Sequence, residues 1–423
     1  MSTVRQGNGV EGGVAAEYDV LIVGGGMVGA SLACALGGHP LRVGMIESVP
    51  FGEPDQPSYD DRSIALAYGS QRIFAGMDLW QEIAPQAMPI RKIHVSDRGH
   101  FGAVRMDAAD MGCAALGYVV ENRILGEVFH RRLTGLSNLE IFCPARLVEF
   151  AIDDRLMHAR VSVEGGERRL RTRLIVGADG GRSVVRDLAG ITANRTGYGQ
   201  TAIIANITPG RDHRCMAYER FTASGPLAML PLSGNRCSMV WTVSEGDAQT
   251  VLGLSDAEFL ASVQGQFGAR LGILQKVGRR TAYPLTLISA RQAVRERMVL
   301  IGNAAHTLHP VAGQGFNLGL RDVAALAEVL VEAVTAGRDP GAREVLDRYS
   351  AWRHGDQHRV TAMTDGLVRL FSNDLLPLVL ARSAGLLVLD KLAPLKRLLM
   401  RQTMGTAGRQ PRLARGLALG ESL

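Results

Sequence analysis

The chain has 423 residues, 46% of them hydrophobic and 21% charged, which suits a soluble protein with two or three hydrophobic cores. Its net charge of +6 comes from seven cations and no acid between Lys391 and Arg415, and no aromatic residues alternate with them, which argues against a nucleic-acid partner. Five scattered cysteines without CxxC spacing indicate neither a zinc site nor a disulfide framework, and they fit a reducing cytoplasm.

The first motif follows residues 1–16, a glycine-rich tail that we expect to be disordered. The apolar, β-branched run Tyr18–Val23 is typical of a buried parallel strand. The chain then turns on GGGMVG, in which Gly24, Gly26 and Gly29 have the G-x-G-x-x-G spacing before a helix of small residues. Glycine permits the tight turn, the approach of backbone to a pyrophosphate, and close packing of the helix on the strand. The motif predicts a dinucleotide site with phosphates at the helix N-terminus.

A second predicted strand, Leu41–Ile46, ends at Glu47, 18 residues beyond Gly29. A carboxylate at this place accepts a hydrogen bond from an adenosine ribose and favours a ribose with a free 2′-hydroxyl. NAD and FAD share this fingerprint, so it does not choose between them. A glycine turn with an unrelated surface glutamate is the alternative.

The later stretch Val299–Asp322 contains no ionisable residue except two histidines before Arg321. Its polar amides and four glycines argue against a membrane helix, in which every polar group must be satisfied without water. We expect neither a membrane span nor a signal peptide in the chain. The stretch instead predicts a strand, the pair Gly302-Asn303, a glycine-rich loop and a helix from Phe316, which together would wrap a ligand.

Several segments in this order resemble the FAD-dependent aromatic hydroxylases, the group A flavin monooxygenases similar to p-hydroxybenzoate hydroxylase. LIVGADGGRSVVR at 174–186 follows the first motif, and within the superfamily three segments resemble the ubiquinone-biosynthesis hydroxylases, especially the type that acts on 2-polyprenyl-6-methoxyphenol. They are DDRSIALAYGS at 60–70, YERFTASGPLAMLPL at 218–232 and GNAAHTLHPVAGQGFNLGLRD at 302–322. The resemblance covers roughly residues 18–405.

The resemblance implies an α/β fold in which a Rossmann-like FAD-binding domain is interleaved with an antiparallel-sheet substrate domain. We expect the FAD-binding domain at residues 17–75, 106–190 and 286–355, and the substrate domain at 76–105 and 191–285. Residues 356–423 would form C-terminal helices and a basic tail. Four segments read as strands of the substrate sheet: 201–207, 215–221, 227–231 and 237–243.

The resemblance also implies which residues bind FAD. Asp179-Gly180 would lie beside the pyrophosphate, and Asn303 after Gly302 would reach the ribityl chain, although most of the superfamily has aspartate there. The loop residues that would line the isoalloxazine ring are Pro310, Gly313, Gln314 and Gly315.

Two arginines complete the predicted cofactor set by their likeness to family positions. Arg62 and Arg123 each present a guanidinium that suits a diphosphate. For Arg62, which follows Asp60 and Asp61, and for Arg123, a surface ion pair is the alternative.

The implied reaction is hydroxylation of the ring of a polyprenylated phenol in ubiquinone biosynthesis, with NAD(P)H and O2, through a flavin C4a-hydroperoxide. With no second glycine fingerprint after a strand, NAD(P)H would bind transiently. No catalytic side chain is predicted. Other chemistry on the same fold, as in a reductase or halogenase, and a non-catalytic flavoprotein scaffold are the alternatives. Four residues of the substrate sheet are read either as pocket or, with preference, as core: Tyr218, Phe221, Met229 and Trp241.

Two further features have a predicted role. His306 and His309 lack a neighbouring carboxylate or cysteine, so we expect no metal site. Apolar residues recur at helical spacing between Leu367 and Met400 before the cluster of cations. They predict a cytoplasmic protein that docks reversibly on a membrane surface or joins a quinone-biosynthesis complex. An apolar face packed on its own domain is the alternative.

Overall fold

The structure is a computed structural model of the protein, and it describes residues 16–50, 62–153, 155–371 and 375–420. Strands and helices are numbered along the chain within these ranges. The tail predicted to be disordered lies outside the described residues apart from Ala16, and so do Asp60 and Asp61.

The first sheet has at its centre five parallel strands in the order β8, β2, β1, β11 and β19. The long strand β11 pairs its first half with the antiparallel meander of β9 and β10. The bounds of the strands are β1 Ala16–Val23, β2 Val43–Ile46, β8 Leu139–Phe142, β9 Ala145–Ile152, β10 Met157–Val163, β11 Gly166–Gly177, β18 Val294–Arg295 and β19 Met298–Leu300.

The second sheet contains the four predicted substrate-sheet strands, which pair antiparallel in the order β12, β15, β14 and β13. It continues through a parallel pairing of β13 with β5, which the sequence did not predict. Its strands are β5 Lys92–Asp97, β6 Ala103–Asp107, β12 Ala193–Thr208, β13 Met216–Thr222, β14 Gly225–Leu232, β15 Arg236–Ser244, β16 Lys276–Val277, β17 Thr281–Ala290 and β20 His306–Thr307. A third sheet joins β3 Ser63–Ala67, β4 Met88–Ile90 and β7 Gly117–Glu121.

Helices cover one face of the first sheet and pack against one face of the second. Helix α8 begins at Gln314, two residues before the predicted start, because Gly313 in the left-handed region sets its N-terminus. The helices are α1 Met27–Leu36, α2 Tyr68–Gly76, α3 Trp80–Ile83, α4 Asn122–Thr134, α5 Val184–Leu188, α6 Ala248–Leu252, α7 Asp256–Phe267, α8 Gln314–Thr335, α9 Arg343–Phe371, α10 Leu376–Lys391 and α11 Ala393–Thr403.

The main core lies between the first sheet and helices α1, α4 and α8, where residues such as Ile22, Leu32 and Leu326 are fully buried. The end of the chain belongs to the same core, because Leu413 and Leu419 are buried in it. The basic residues near them therefore do not form a projecting tail in the described part of the chain. Apolar side chains between the cations fix this segment to the domain.

Candidate active site

The carboxyl ends of four parallel strands lie side by side at one edge of the first sheet. Val23 pairs with Gly177 on one side and with Ile46 on the other, and Gly177 pairs with Leu300. The loops that follow these four residues therefore meet at that edge. They carry the glycine motif, Glu47, the Asp179-Gly180 pair and the Gly302-Asn303 pair, so segments far apart in sequence form one site.

Two glycines of the first motif are required by the protein's own packing. Gly24 has φ +102°, and a Cβ there would lie 2.6 Å from the carbonyl oxygen of Ala178. A Cβ on Gly29 would overlap the carbonyl oxygen of Gly24. The helix thus approaches the strand as closely as the motif predicts, and its N-terminus at Gly26 is open for a phosphate.

The Glu47 carboxylate is buried and belongs to the glycine loop itself. Its Oε2 accepts from the Gly25 N–H at 2.5 Å, and its Oε1 accepts from the Val49 N–H at 2.8 Å. An ionised acceptor with two backbone donors is held in one orientation. The carboxylate therefore fixes the turn on which a dinucleotide would lie.

The second cofactor motif, which contains Asp179-Gly180, is connected by a buried arginine to the third, which contains Gly302-Asn303. Asp179 accepts from the Val185 N–H at 3.1 Å through Oδ2, and its buried Oδ1 has no hydrogen-bond partner in the described ranges. Burial raises the pKa of this carboxyl above its ordinary value, although hydrogen bonds oppose the shift. Arg186, only 1% exposed, donates to the carbonyls of Gly181 at 2.8 Å and Ala304 at 3.0 Å. It binds the two loops together, a role that its sequence position did not reveal.

The third motif rests on a buried ionic network. The fully buried Asp322 accepts from His306 Nε2 at 2.6 Å, from Arg353 Nε at 2.8 Å and from the Gly302 N–H at 3.3 Å. Although burial raises its pKa, the charges and hydrogen bonds of His306 and Arg353 hold the pKa of Asp322 well below its ordinary value. Gly302 is thereby fixed in the left-handed region while the Asn303 side chain stays exposed.

An asparagine holds the loop from Pro310 to Gly315 in place. The Asn317 amide donates to the carbonyls of Ala65 at 2.8 Å and Gly313 at 2.6 Å. Its oxygen accepts from the Ala67 N–H at 2.8 Å and from Ser70 Oγ at 2.7 Å. All four bonds of a primary amide are made. Sequence reasoning missed this residue, and the only available signal was one amide on an apolar helix.

The loop itself divides into buried and open positions. Gln314 is 2% exposed and donates to the carbonyl oxygen of Thr403 at 3.3 Å. By contrast, a Cβ built on Gly315 or on Gly180 would meet no heavy atom within 4 Å. These two glycines border open space, as expected where a flat ligand lies against backbone.

The two predicted cofactor arginines lie at different places. The Arg62 guanidinium stacks over the Tyr283 ring at 4.8 Å, between the start of β3 in the third sheet and β17 in the second. Arg123 begins α4 and is half exposed, with its Nη1 2.5 Å from Glu127 and its Nη2 3.7 Å from Glu121. The surface ion pair considered for Arg123 is therefore present, and binding of FAD by either arginine stays a prediction.

The four aromatic and apolar candidates of the substrate sheet are core residues, as preferred. Met229 and Trp241 are buried in the cluster between this sheet and α7, and Tyr218 packs against it. Phe221 stacks on Phe371 with ring centroids 3.7 Å apart. The face on which most of them lie is closed by helix α7.

The other face of the same sheet carries an unclosed stripe. Glu219 pairs with Ala228, Ala228 with Val240, and Val240 with Ile204, so their side chains share one face, and each is only half buried. Ala217 on this face packs in a cluster with Ala65, whose carbonyl binds Asn317. The stripe therefore faces the loop from Pro310 to Gly315, which is called the Gly313 loop below.

Glu219 is the one ionisable residue of that stripe. No side chain or backbone group in the described residues hydrogen-bonds to its half-buried carboxyl group. Burial raises the pKa of Glu219 to about 7. A carboxyl group of this kind on an otherwise apolar sheet face is the pattern of an acid–base residue, and sequence reasoning missed it because only strand register shows its direction.

The histidines of the third motif are structural here. Burial lowers the pKa of His309 to about 4, and its Nδ1 accepts from the Val311 N–H at 3.2 Å. His306 is engaged by Asp322. Within the described ranges, no three side chains of the metal-binding types come together.

The site fits an FAD. Backbone donors at a helix N-terminus, open glycines and an unpartnered carboxylate oxygen lie at one sheet edge. The family model of the FAD binding domain matches residues 17–364. The chain is 43% identical over 404 residues to the ubiquinone hydroxylase UbiL of Rhodospirillum rubrum, a match that covers 95% of this chain and 93% of that protein. It is a member of the FAD-dependent hydroxylases of ubiquinone biosynthesis.

Other comparisons agree with this membership. The hydroxylase is 34% identical to the 3-demethoxyubiquinol 3-hydroxylase of Escherichia coli, over 92% of this chain and 98% of that protein. The crystal structure of p-nitrophenol 4-monooxygenase PnpA from Pseudomonas putida DLL-E4 superposes with a TM-score of 0.77 at 21% identity, covering 94% and 100% of the chains. This likeness confirms the predicted fold. In the part of the hydroxylase that the structure describes, no helix is long and apolar enough to cross a membrane.

Proposed function

We propose that this FAD-dependent hydroxylase oxidises the aromatic ring of a polyprenylated phenol with NAD(P)H and O2. The observation that carries the proposal is the half-buried stripe opposite the Gly313 loop. It offers apolar side chains, Ala228, Val240 and Ile204, and ends in one carboxyl group, that of Glu219. A phenol has the same division into an apolar ring and one ionisable hydroxyl.

When bound, FAD supplies the redox chemistry, since it takes a hydride from NAD(P)H and activates O2. The chain's own part is to orient the ring and to exclude water. Glu219 would accept the proton of the phenol hydroxyl, because a base with a pKa near the working pH is the most effective. The phenolate ring is richer in electrons and accepts oxygen more readily.

We further propose that the predicted cofactor residues hold FAD at the sheet edge. Backbone groups of Gly24, Gly26 and Gly29 would face the pyrophosphate, and Glu47 would accept from the ribose in addition to Gly25. The other residues assigned to FAD are Arg62, Arg123, Asp179, Gly180, Gly302, Asn303, Pro310, Gly313, Gln314 and Gly315. The interleaved division of the FAD-binding and substrate domains belongs to the same proposal.

Glu47 gives a direct test of this cofactor assignment. Glu47→Ala should weaken retention of FAD while the apparent KM for the nicotinamide nucleotide stays the same. A selective change between NADH and NADPH would instead assign the fingerprint to the nicotinamide cofactor.

The substrate class is tested with a panel of phenols that differ in prenylation. Prenylated phenols should speed NAD(P)H oxidation by the yellow, flavin-loaded enzyme and give products heavier by one oxygen in mass spectrometry. Glu219→Gln should keep FAD but lower the rate of product formation by about 100-fold, which is typical of the loss of a general base. Reduced or halogenated products would favour the alternative chemistries, and no phenol-dependent O2 consumption would favour a scaffold.

A second proposal concerns the membrane surface. Helices α10 and α11 expose a row of large apolar side chains, while Leu386 of α10 is buried against β6 and Val379 of α10 is also buried. The apolar residues that recur at helical spacing in the sequence are therefore divided between a buried face and an exposed face. The exposed row is Leu375, Leu378, Leu380, Leu387, Val388, Leu392, Leu395 and Leu398.

Exposed cations lie next to this row. Lys391, Arg397 and Arg401 are exposed, whereas Lys396 pairs with Asp110 at 3.5 Å. Each basic group near an anionic leaflet contributes about 1 kcal/mol. We infer that α10 and α11 dock the enzyme reversibly on an anionic bilayer, where a polyprenylated substrate dissolves.

Point substitutions test this docking better than truncation, because truncation would also remove Leu413 and Leu419 from the core. The double variant Leu392→Ser/Leu398→Ser should lose salt-sensitive binding to vesicles that contain phosphatidylglycerol. Ile273→Ser is the matched control, because Ile273 is 81% exposed in the substrate domain. Equal vesicle binding by the double variant and the wild type would refute the docking surface.

A further inference from the structure

A polar cavity lies between α8, α9 and residues 407–411. Its volume is about 40 Å³, which is more than the 10–15 Å³ or so that one water molecule requires. The lining includes four arginines and only one acid. These side chains are Arg321, Arg353, Arg359, Arg409 and Asp356.

The floor of the cavity contains individual guanidinium nitrogens that have no hydrogen-bond partner among the described residues. Arg321 is 4% exposed and donates through Nε to Asp356 at 2.8 Å, but its buried Nη1 and Nη2 have no hydrogen-bond partner among the described residues. Arg353 is 5% exposed, and its Nη2 is likewise unpaired there. Leaving such donors unsatisfied in a protein interior is costly, so the cavity requires an acceptor.

The charges near the cavity do not cancel. Asp356 is shared between Arg321 and Arg353, with the second contact at 2.7 Å. Burial lowers the pKa of the Arg321 guanidinium, against the attraction of Asp356. The cavity is therefore short of negative charge, although Asp322 also pairs with Arg353 from behind.

The rim is built to admit a ligand from solvent. Arg359 and Arg409 are exposed, and the Arg409 guanidinium stacks on the Trp352 ring at 4.1 Å. The Trp352 Nε1–H donates to the Arg409 carbonyl at 3.2 Å, which fixes that arginine's backbone beside the opening. A group too large for the cavity could project past this ring.

We propose that this arginine cavity binds a phosphate dianion, either inorganic phosphate or the phosphate monoester of a nucleotide. The unpaired nitrogens of Arg321 and Arg353 form the floor of the site, and Arg409 closes it. Guanidinium groups bind phosphate oxygens with paired, charge-assisted hydrogen bonds.

The site is linked to the flavin edge through one side chain. Arg353 donates to Asp322, which in turn binds His306 and the Gly302 N–H. An anion that holds Arg353 therefore also stabilises the third cofactor motif. Phosphate binding should raise the melting temperature of the flavin-loaded enzyme by about 1–3 °C.

The test is calorimetric titration of inorganic phosphate into the full-length, flavin-loaded enzyme, with sodium chloride holding the ionic strength constant. One phosphate per chain should bind. Arg321→Gln should abolish binding, and Arg409→Gln, at the exposed rim where folding is not at risk, should weaken it at least about fivefold. The matched control is Arg343→Gln, an exposed arginine on α9 that pairs with Asp347 and should leave binding unchanged.

Two outcomes would overturn the proposal: no saturable phosphate binding, or equal weakening by Arg343→Gln and Arg409→Gln. Competition by adenosine 2′-monophosphate distinguishes the two sources. If it displaces phosphate, the site accepts a nucleotide monoester. If it does not, while the rim variant still weakens phosphate binding, the ligand is the free anion.

Discussion

Two glycine-rich loops of the proposed cofactor site require glycine for different reasons. At Gly24 and Gly29 of the first loop, a Cβ would collide with the protein's own backbone. At Gly315 of the second loop, a Cβ would meet nothing within 4 Å. The first loop therefore needs these two glycines in order to fold, whereas Gly315 would be needed only when a ligand is present. Substitutions in the two loops should separate folding from cofactor binding.

The largest effect is expected for Gly29→Ala. The new methyl group would overlap the Gly24 carbonyl oxygen, so α1 must move off β1 and the main core must open. We expect a loss of more than about 4 kcal/mol of unfolding free energy, or no soluble protein. Chemical denaturation and soluble yield measure this. Gly265→Ala, at an exposed position of α7 where a Cβ meets nothing, is the control and should stabilise slightly. Normal stability of Gly29→Ala would contradict the close packing.

Asn317→Ala should have the next largest effect. The substitution leaves the Ala67 N–H and the Ala65 and Gly313 carbonyls without their partner, which costs about 2–4 kcal/mol. Ser70→Ala, which removes only one of the four bonds, should cost about 1 kcal/mol. The losses of unfolding free energy in the two variants can be compared through their denaturant midpoints. Equal losses would show that the amide does not hold the Gly313 loop.

Glu219 should make stability depend on pH. Because its folded pKa is raised to about 7 from 4.5, its contribution is fully present below pH 4.5 and is lost as the pH rises through about 7. The loss should amount to about 1–3 kcal/mol. Glu219→Gln should therefore be more stable than the wild type at pH 8 and should flatten the decline between pH 5 and 8. If the unfolding free energies of the two proteins depend on pH in the same way, the carboxyl group of Glu219 is solvated in the folded state.

Gly315→Val should have the smallest effect on the apoprotein and a large effect on the holoenzyme. Its side chain enters open space, so the stability of the apoprotein should change by less than about 1 kcal/mol. The same atoms would occupy the place proposed for the flavin edge, so FAD affinity and turnover should fall together. The FAD affinity and turnover of Gly315→Ala should lie between those of Gly315→Val and the wild type. If Gly315→Val binds FAD with the affinity of the wild type, the loop does not contact the flavin.

Local sequence was enough to predict the elements that carry the cofactor motifs. The strand, turn and helix around Gly24 are set by apolar residues and glycines that are close in the chain. The structure has the strand within two residues of its predicted bounds and the helix directly after the turn. The four antiparallel strands of the substrate sheet also followed from short apolar runs separated by turns, but their spatial order did not. Resemblance to the hydroxylase family added the expectation that the loop from Pro310 to Gly315 meets the flavin.

Other features depend on which distant segments meet. The stripe of Glu219 exists because four strands pair in one register, and a shift of one residue would turn the carboxyl group to the opposite face. The apolar spacing of α10 was visible in the sequence, but only packing on β6 decides that Leu386 is buried and Leu387 exposed. In the sequence, residues 404–420 looked like a basic tail, because their charges can be counted without knowing what these residues contact. In the structure, Leu413 and Leu419 pack in a core that is built by strands and helices far earlier in the chain. The sequence by itself therefore determined the local elements and the cofactor class. Only the tertiary structure decided which side chains face the cavity, the core or the solvent, because each of these environments is made by residues from several distant parts of the chain.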